Sequence, residues 1–244
     1  MEESSKEKSL STGARASQWY AERMKIRAAM QVIPYVGGAL DTLFSEKGAQ
    51  IQQQRIAKLL ENLDSRLNRV EKARELPATE EFFDLMLAVF ERVVRTRSQA
   101  KIERFANLVS KQAIELRPWE DVEAAVRLLG ELDDYHLWVL REIASAPVIE
   151  GGSSRRANTL LEPIVELTKD PQGPFMMPLT LRFPSISPAK LRLLCAELLS
   201  KGLLQDEGIG RWGVRAMEMF TPTDLADWFI GWIESAPDVR GSVS

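Results

Sequence analysis

The sequence predicts a mainly α protein in two parts: an N-terminal helical bundle, then a smaller unit in which helices pack with a small β-hairpin. Three observations carry this reading. Apolar residues recur at helical spacing from about residue 49 to 145, with start signals at Thr79, Pro118 and Asp133. Ser187-Pro188 opens a second apolar-striped segment, and Gly202 closes it. Gly208 and Gly210 then separate two apolar runs, as the tip of a hairpin does. With 244 residues, 45% of them hydrophobic, the chain can bury two small cores. The expected division is a polar tail over 1–16, the bundle over 17–131, the second unit over 132–236 and a tail over 237–244.

Met1 to Ala16 is rich in Ser, Glu and Lys and lacks an apolar period, so it reads as disordered. Ser17 to Gln31 reads as a helix carrying Trp19, Tyr20 and Met24, and it leads into the longest mostly apolar run, Ala28 to Phe44. That run is interrupted by Gln31, Pro34, Gly37, Gly38 and Asp41, and falls short of the roughly 20 apolar residues of a simple membrane span. It admits two readings: a membrane-inserting hairpin, or a Pro/Gly-bent packing turn between helices in which Pro34, Gly37 and Gly38 let backbones approach closely. The composition favours the turn.

Ala49 to Ala73 reads as a long polar helix with Ile56, Leu59, Leu60, Leu63, Leu67 and Val70 on one stripe. Residues 56, 63 and 70 repeat every seven positions, which suits a helical partner within the chain or in a second copy; the short repeat favours the first. Thr79 with Glu80 and Glu81 caps a helix that is apolar nearly all round, from Phe82 to Val94. The piece Arg92 to Lys111 is anchored by Ile102, Phe105, Leu108 and Val109, and its Arg97, Lys101 and Arg104 share a face. That face is either a phosphate contact or, as such runs more often are, a solvated surface paired with nearby acids. Pro118 starts a helix that Gly130 ends, and Asp133 caps Tyr135 to Ser145, with Leu137, Leu140 and Ala144 inward. No flexible linker separates the two parts.

In the second unit, Pro147 to Arg156 reads as a loop, and five prolines or glycines between Asp170 and Pro184 exclude a long helix there. Ala189 to Lys201 is a helix with Leu191, Leu194, Cys195, Leu198 and Leu199 on its inner stripe and Lys190, Arg192, Glu197 and Lys201 mostly outside it. Leu203-Leu204 is a short strand, Gln205 to Arg211 a turn, and Trp212 to Phe220 the returning strand. Thr221-Pro222-Thr223-Asp224 caps a closing helix with Leu225, Trp228, Phe229, Trp232 and Ile233 on one face. A helix ending Gly202-Leu203-Leu204, a glycine-tipped hairpin and a closing helix together resemble the end of winged-helix domains, many of which bind protein instead of DNA. The resemblance implies a C-terminal winged-helix-like domain whose contact residues are Lys190, Arg192, Lys201, Arg211, Trp212 and Arg215, the cations and the indole on the presumed recognition helix and wing. Residues 151 to 220 carry 9 basic and 7 acidic residues, a thin supply of cations for DNA.

A looser likeness covers most of the chain after residue 30. The Val36-Gly37-Gly38 turn, Glu80-Glu81-Phe82, Val94 to Arg97, Lys101-Ile102-Glu103 and Leu132 to Leu137 together resemble a widespread set of uncharacterised bacterial proteins with a helical N-terminal region and a winged-helix-like end. Similar gene products occur among mobile and phage-defence genes. The likeness supports the architecture and implies no site.

Chemistry is scarce. The phosphate loop, dinucleotide fingerprint, nucleophile elbow, C-x-x-C and H-E-x-x-H patterns do not occur. His136 is the single histidine, expected at the surface or hydrogen-bonded, and Cys195 lies on an apolar stripe where a thiol is not activated. Acidic pairs such as Glu80/Glu81, Asp133/Asp134 and Asp206/Glu207 fall at helix starts or turns, where capping accounts for them. Most of the six tryptophans fall on apolar faces, with Trp212 the exception expected in the wing. The reading is therefore a non-enzyme without cofactor, metal or small-molecule substrate. Its partner is protein or a second copy, with DNA and membrane as alternatives. A lone cysteine, a polar N-terminus and a net charge of −3 fit a reducing cytoplasm and no bulk attraction for polyanions. Two functions follow: an adaptor or regulator that joins a helical unit to a winged-helix-like one, or a membrane-active effector of the phage-defence type that inserts Val32 to Phe44.

Overall fold

A computed structural model describes residues 46–67, 79–145, 158–164, 175–210 and 213–234. Eight helices and four short strands occur among them, so the protein is mainly helical with one small sheet. The chain divides into two compact units, one of Glu131–Trp232 and one of the residues before it together with those from Ile233 onward.

The first unit contains α1 (Glu46–Leu67), α2 (Glu80–Arg95), α3 (Gln99–Glu115) and α4 (Trp119–Glu131, which ends at the boundary). α1 lies on α2 and α3 and buries Ile56, Leu59, Leu60, Leu63 and Leu67. Each such side chain contributes roughly 1.5–3 kcal/mol, so the helix is held by its stripe and not by its polar remainder. The seven-residue spacing of Ile56 and Leu63 is thus used inside the unit, while Val70 lies outside the described residues. Thr79 accepts from the Phe82 N–H at 3.2 Å and opens α2, which buries Phe82, Leu85, Met86, Val89, Phe90 and Val93.

The chain then breaks inside the piece Arg92 to Lys111. The Thr96 hydroxyl donates to the Arg92 carbonyl at 2.9 Å, and Ser98 accepts from the Lys101 N–H at 3.0 Å, so one helix ends and α3 starts within three residues. Two short polar side chains do this work without proline or glycine. α3 ends at Leu116, a non-glycine residue at φ 47°. Asn107 on α3 donates to the Ile233 carbonyl at 2.9 Å.

The second unit comprises α5 (Asp134–Ala144), β1 (Asn158–Leu160), β2 (Phe175–Met176), α6 (Leu179–Arg182), α7 (Pro188–Ser200), β3 (Leu204–Asp206), β4 (Met219–Pro222) and α8 (Asp224–Ile233, whose last residue belongs to the first unit). The sheet order is β2-β1-β4-β3, with β1 parallel to β2 and antiparallel to β4, and β3 antiparallel to β4. The expected hairpin is therefore two strands of a larger sheet. β1, absent from the sequence reading, pairs Thr159 with Phe220 and Leu160 with Met219. The returning strand starts at Met219, not at Trp212, because residues 213–218 form a turn region in which Met217 takes φ 67°.

α7 opens as expected, with Ser187 accepting from the Lys190 N–H at 3.3 Å and Pro188 at the first helical position. It closes on Gly202 at φ 72°, where the Gly202 N–H reaches the Leu199 carbonyl and the Leu203 N–H reaches that of Leu198. Its buried stripe is Leu191, Leu194, Cys195 and Leu198, against α5 and β3. α8 is capped by Thr223, which accepts from the Ala226 N–H at 3.3 Å. Its inner face is Ala226, Phe229, Trp232 and Ile233; Leu225, expected inward, is exposed, and Trp228 is half-buried.

Candidate functional site

The outer side of α7 is open. Ala189, Lys190, Arg192, Leu193 and Ser200 are exposed, while the opposite side of the helix is fully enclosed. Lys190 holds its ammonium 4.1 Å from the centre of the Tyr135 ring on α5. Tyr135 in turn meets Trp138 edge to face, ring centres 5.2 Å apart. Trp138 is 48% exposed and Leu193 57%, although the first was expected on an apolar face. Leu193 stands one turn beyond Lys190 and one turn before Glu197, the residue whose carboxylate bonds His136 on α5. Lys190, Leu193, Tyr135 and Trp138 therefore form an apolar patch along the seam between α5 and α7, with one cation set into it.

The seam is fastened at its other end. Asp133 and His136 form a reciprocal cap: the Asp133 carboxylate accepts from the His136 N–H at 3.1 Å, and the Asp133 N–H donates to Nδ1 at 3.2 Å. Nδ1 also lies 2.9 Å from the Asp133 carboxylate, and Nε2 bonds the Glu197 carboxylate. Partial burial pushes the Asp133 carboxyl up, but the bond from the His136 N–H and the neighbouring imidazole outweigh it and leave the group below the usual carboxylate range. His136 is thus a buried structural clamp, as its hydrogen-bonded reading expected. Lys201, the C-cap of α7, adds an ion pair with Glu131.

The described residues among those predicted for DNA or partner contact are spread along α7 and beyond the ribbon. Lys190 and Lys201 lie about 16 Å apart along the helix. Arg192 is exposed with Nη2 3.5 Å from Glu162, and Lys201 is half-buried on Glu131. Arg215 is exposed beyond the ribbon, its backbone N–H donating to Glu218 at 2.9 Å. Arg211 and Trp212 lie outside the described residues, as do Pro34, Gly37, Gly38 and the whole Val32 to Phe44 stretch. In the first unit, the basic run is partly occupied as well: Lys101 donates to the Gly130 carbonyl at 2.9 Å, and Arg104 is also engaged.

The ribbon beside α7 is stapled by Asp206, whose carboxylate accepts from the Gly208 N–H at 2.9 Å and the Met217 N–H at 2.8 Å. Cys195 is buried, and burial pushes its thiol up to about 12, which removes it as a nucleophile at neutral pH. Among the described residues no cluster of three or more His, Cys, Asp or Glu side chains is placed to hold a metal ion, and no helix is long and apolar enough to cross a membrane.

The chain has no match. Comparison with protein-family models, with curated proteins and with solved structures finds nothing similar to it.

Sequence reasoning missed Tyr135, Trp138 and Leu193. The signal was present: Leu193 is an apolar residue off the 191, 194, 195, 198 stripe, and Trp138 lies between the inward positions 137 and 140.

Proposed function

We propose that the protein is a non-enzymatic adaptor or regulator whose second unit is a winged-helix-like module that contacts protein through the open side of α7. The order α5, β1, β2, α6, α7, β3, β4 and the pairing β1-β4-β3 within the four-stranded sheet support the winged-helix-like reading. The observation that carries the choice of partner is the patch of Leu193, Trp138 and Tyr135, apolar and aromatic groups of the kind that anchor protein interfaces. Electrostatics points the same way. Residues 131 to 232 hold 10 basic and 14 acidic residues, a net charge of −4. Duplex binders neutralise roughly 6–10 phosphates. Here, of Lys190 and Arg192 on α7 and Lys201 at its C-cap, Arg192 and Lys201 already face carboxylates.

The test is a fluorescence-polarisation titration of the full chain against mixed genomic DNA fragments at low salt. The expected result is no salt-dependent binding. Binding that falls steeply with salt and is lost in Lys190→Glu would overturn the protein reading in favour of DNA.

A further inference from the structure

We propose that the chain associates with a second copy of itself head to tail, the α5–α7 patch of one copy receiving the start of α8 of the next. The inference rests on the protein-contact reading above and names the partner. Two sites in the second unit are complementary. At one, Lys190 is set among Tyr135, Trp138 and Leu193; at the other, Asp224 and Asp227 flank Leu225, which is 40% exposed, and the half-buried Trp228. Neither Lys190 nor Asp224 has an ion-pair partner among the described residues. Each is thus a charge with no oppositely charged side chain beside it, next to exposed apolar surface, and the two charges are opposite.

The sites cannot meet within one chain. The Thr223 hydroxyl donates to the Gly202 carbonyl at 2.6 Å, and Leu225 stands beside Gly202, so the start of α8 is fixed at the C-terminal end of α7. Lys190 is at the other end, about 18 Å away over twelve residues of rise. Contact between them must therefore join two copies, and because each copy offers a different patch, the arrangement is heterologous and leaves a free site at each end. An isologous pairing of two α5–α7 patches would instead oppose Lys190 to a second lysine-bearing patch.

Sedimentation velocity of the full chain over a concentration series tests this. The wild type is expected to grow beyond a dimer with concentration. Lys190→Glu and Asp224→Lys, both at exposed positions, should each weaken association at least about tenfold, since a reversed charge turns attraction into repulsion. The double variant, which swaps the pair, should recover it. In an equimolar mixture of the two single variants each copy meets its complement at both ends, one contact native and the other charge-swapped, so alternating copies should associate and grow as the wild type does. A wild type that stays monomeric, single variants that associate like the wild type, or a mixture that fails to pair would each overturn the proposal. A monomeric wild type would leave the protein-contact reading to its own test, with a different protein as the occupant.

Discussion

Replacing Gly208 with alanine should open the tip of the β3–β4 ribbon while leaving α7 in place. A Cβ at this position would lie 2.3 Å from the Arg215 carbonyl oxygen, which is backbone and cannot swing aside, and 3.1 Å from the Asp206 carboxylate. Ordinary contact needs over 1 Å more, so the two arms of the loop must part. Parting them breaks the bond that the Met217 N–H donates to the Asp206 carboxylate across the turn region, while the Gly208 N–H bond to the same carboxylate is local to one arm. A hydrogen bond to a charged group is worth about 1.5–3 kcal/mol, and Asp206 is half-buried. The expected loss is therefore about 1.5–3 kcal/mol, read by urea unfolding, with faster amide exchange at Met217. Gly213→Ala serves as the control. Gly213 has φ 77° and open space around it, so alanine there should cost about 1 kcal/mol from the left-handed backbone alone and leave Met217 protected. A Gly208→Ala protein within about 0.5 kcal/mol of the wild type, with Met217 still protected, would refute the stapled-ribbon account.

Cys195 should resist iodoacetamide in the native protein at pH 8 and react fully in denaturant; rapid native labelling would contradict its burial. Because its folded pKa is raised from 9.0 to about 12, its ionisation favours unfolding. Its stability contribution is intact below pH 9 and lost as pH rises towards 12, a loss that Cys195→Ala should lack. Asp133→Asn keeps a capping oxygen and removes the charge. The Asp133 pKa is lowered by folding, so its contribution is present above the unfolded value of 3.8 and lost as pH falls through the lower folded value. The wild type should exceed Asp133→Asn by roughly 0.2–1 kcal/mol at pH 7, with the gap closing in acid; a gap independent of pH would show the charge to be idle.

Much of the helical framework was legible because its signals are local. Thr79, Asp133, Ser187-Pro188 and Gly202 each announce a helix end through their own side chain or backbone freedom, and the stripes at 56–67 and 191–198 are read directly from spacing. What was not legible depends on distant partners. β1 is three residues long and buried throughout, so it has no alternation to read, and it exists because Met219 and Phe220 lie beside it. The return of the ribbon was expected too early because the two bonds from Asp206 hold the turn region, which no turn motif encodes. Leu225 fits a helical apolar face by spacing, yet the packing of α8 turns it outward. For the same reason the patch on α5 and α7 could not be assembled from either helix alone.

The openness of that patch is tested most directly by placing a photo-reactive phenylalanine derivative at Leu193 and, as a control, at the neighbouring buried Leu194, then irradiating living cells that express the full chain. The account predicts protein adducts of discrete mass from position 193 and none from position 194. Adducts to nucleic acid from position 193, or equal silence at both positions, would contradict it.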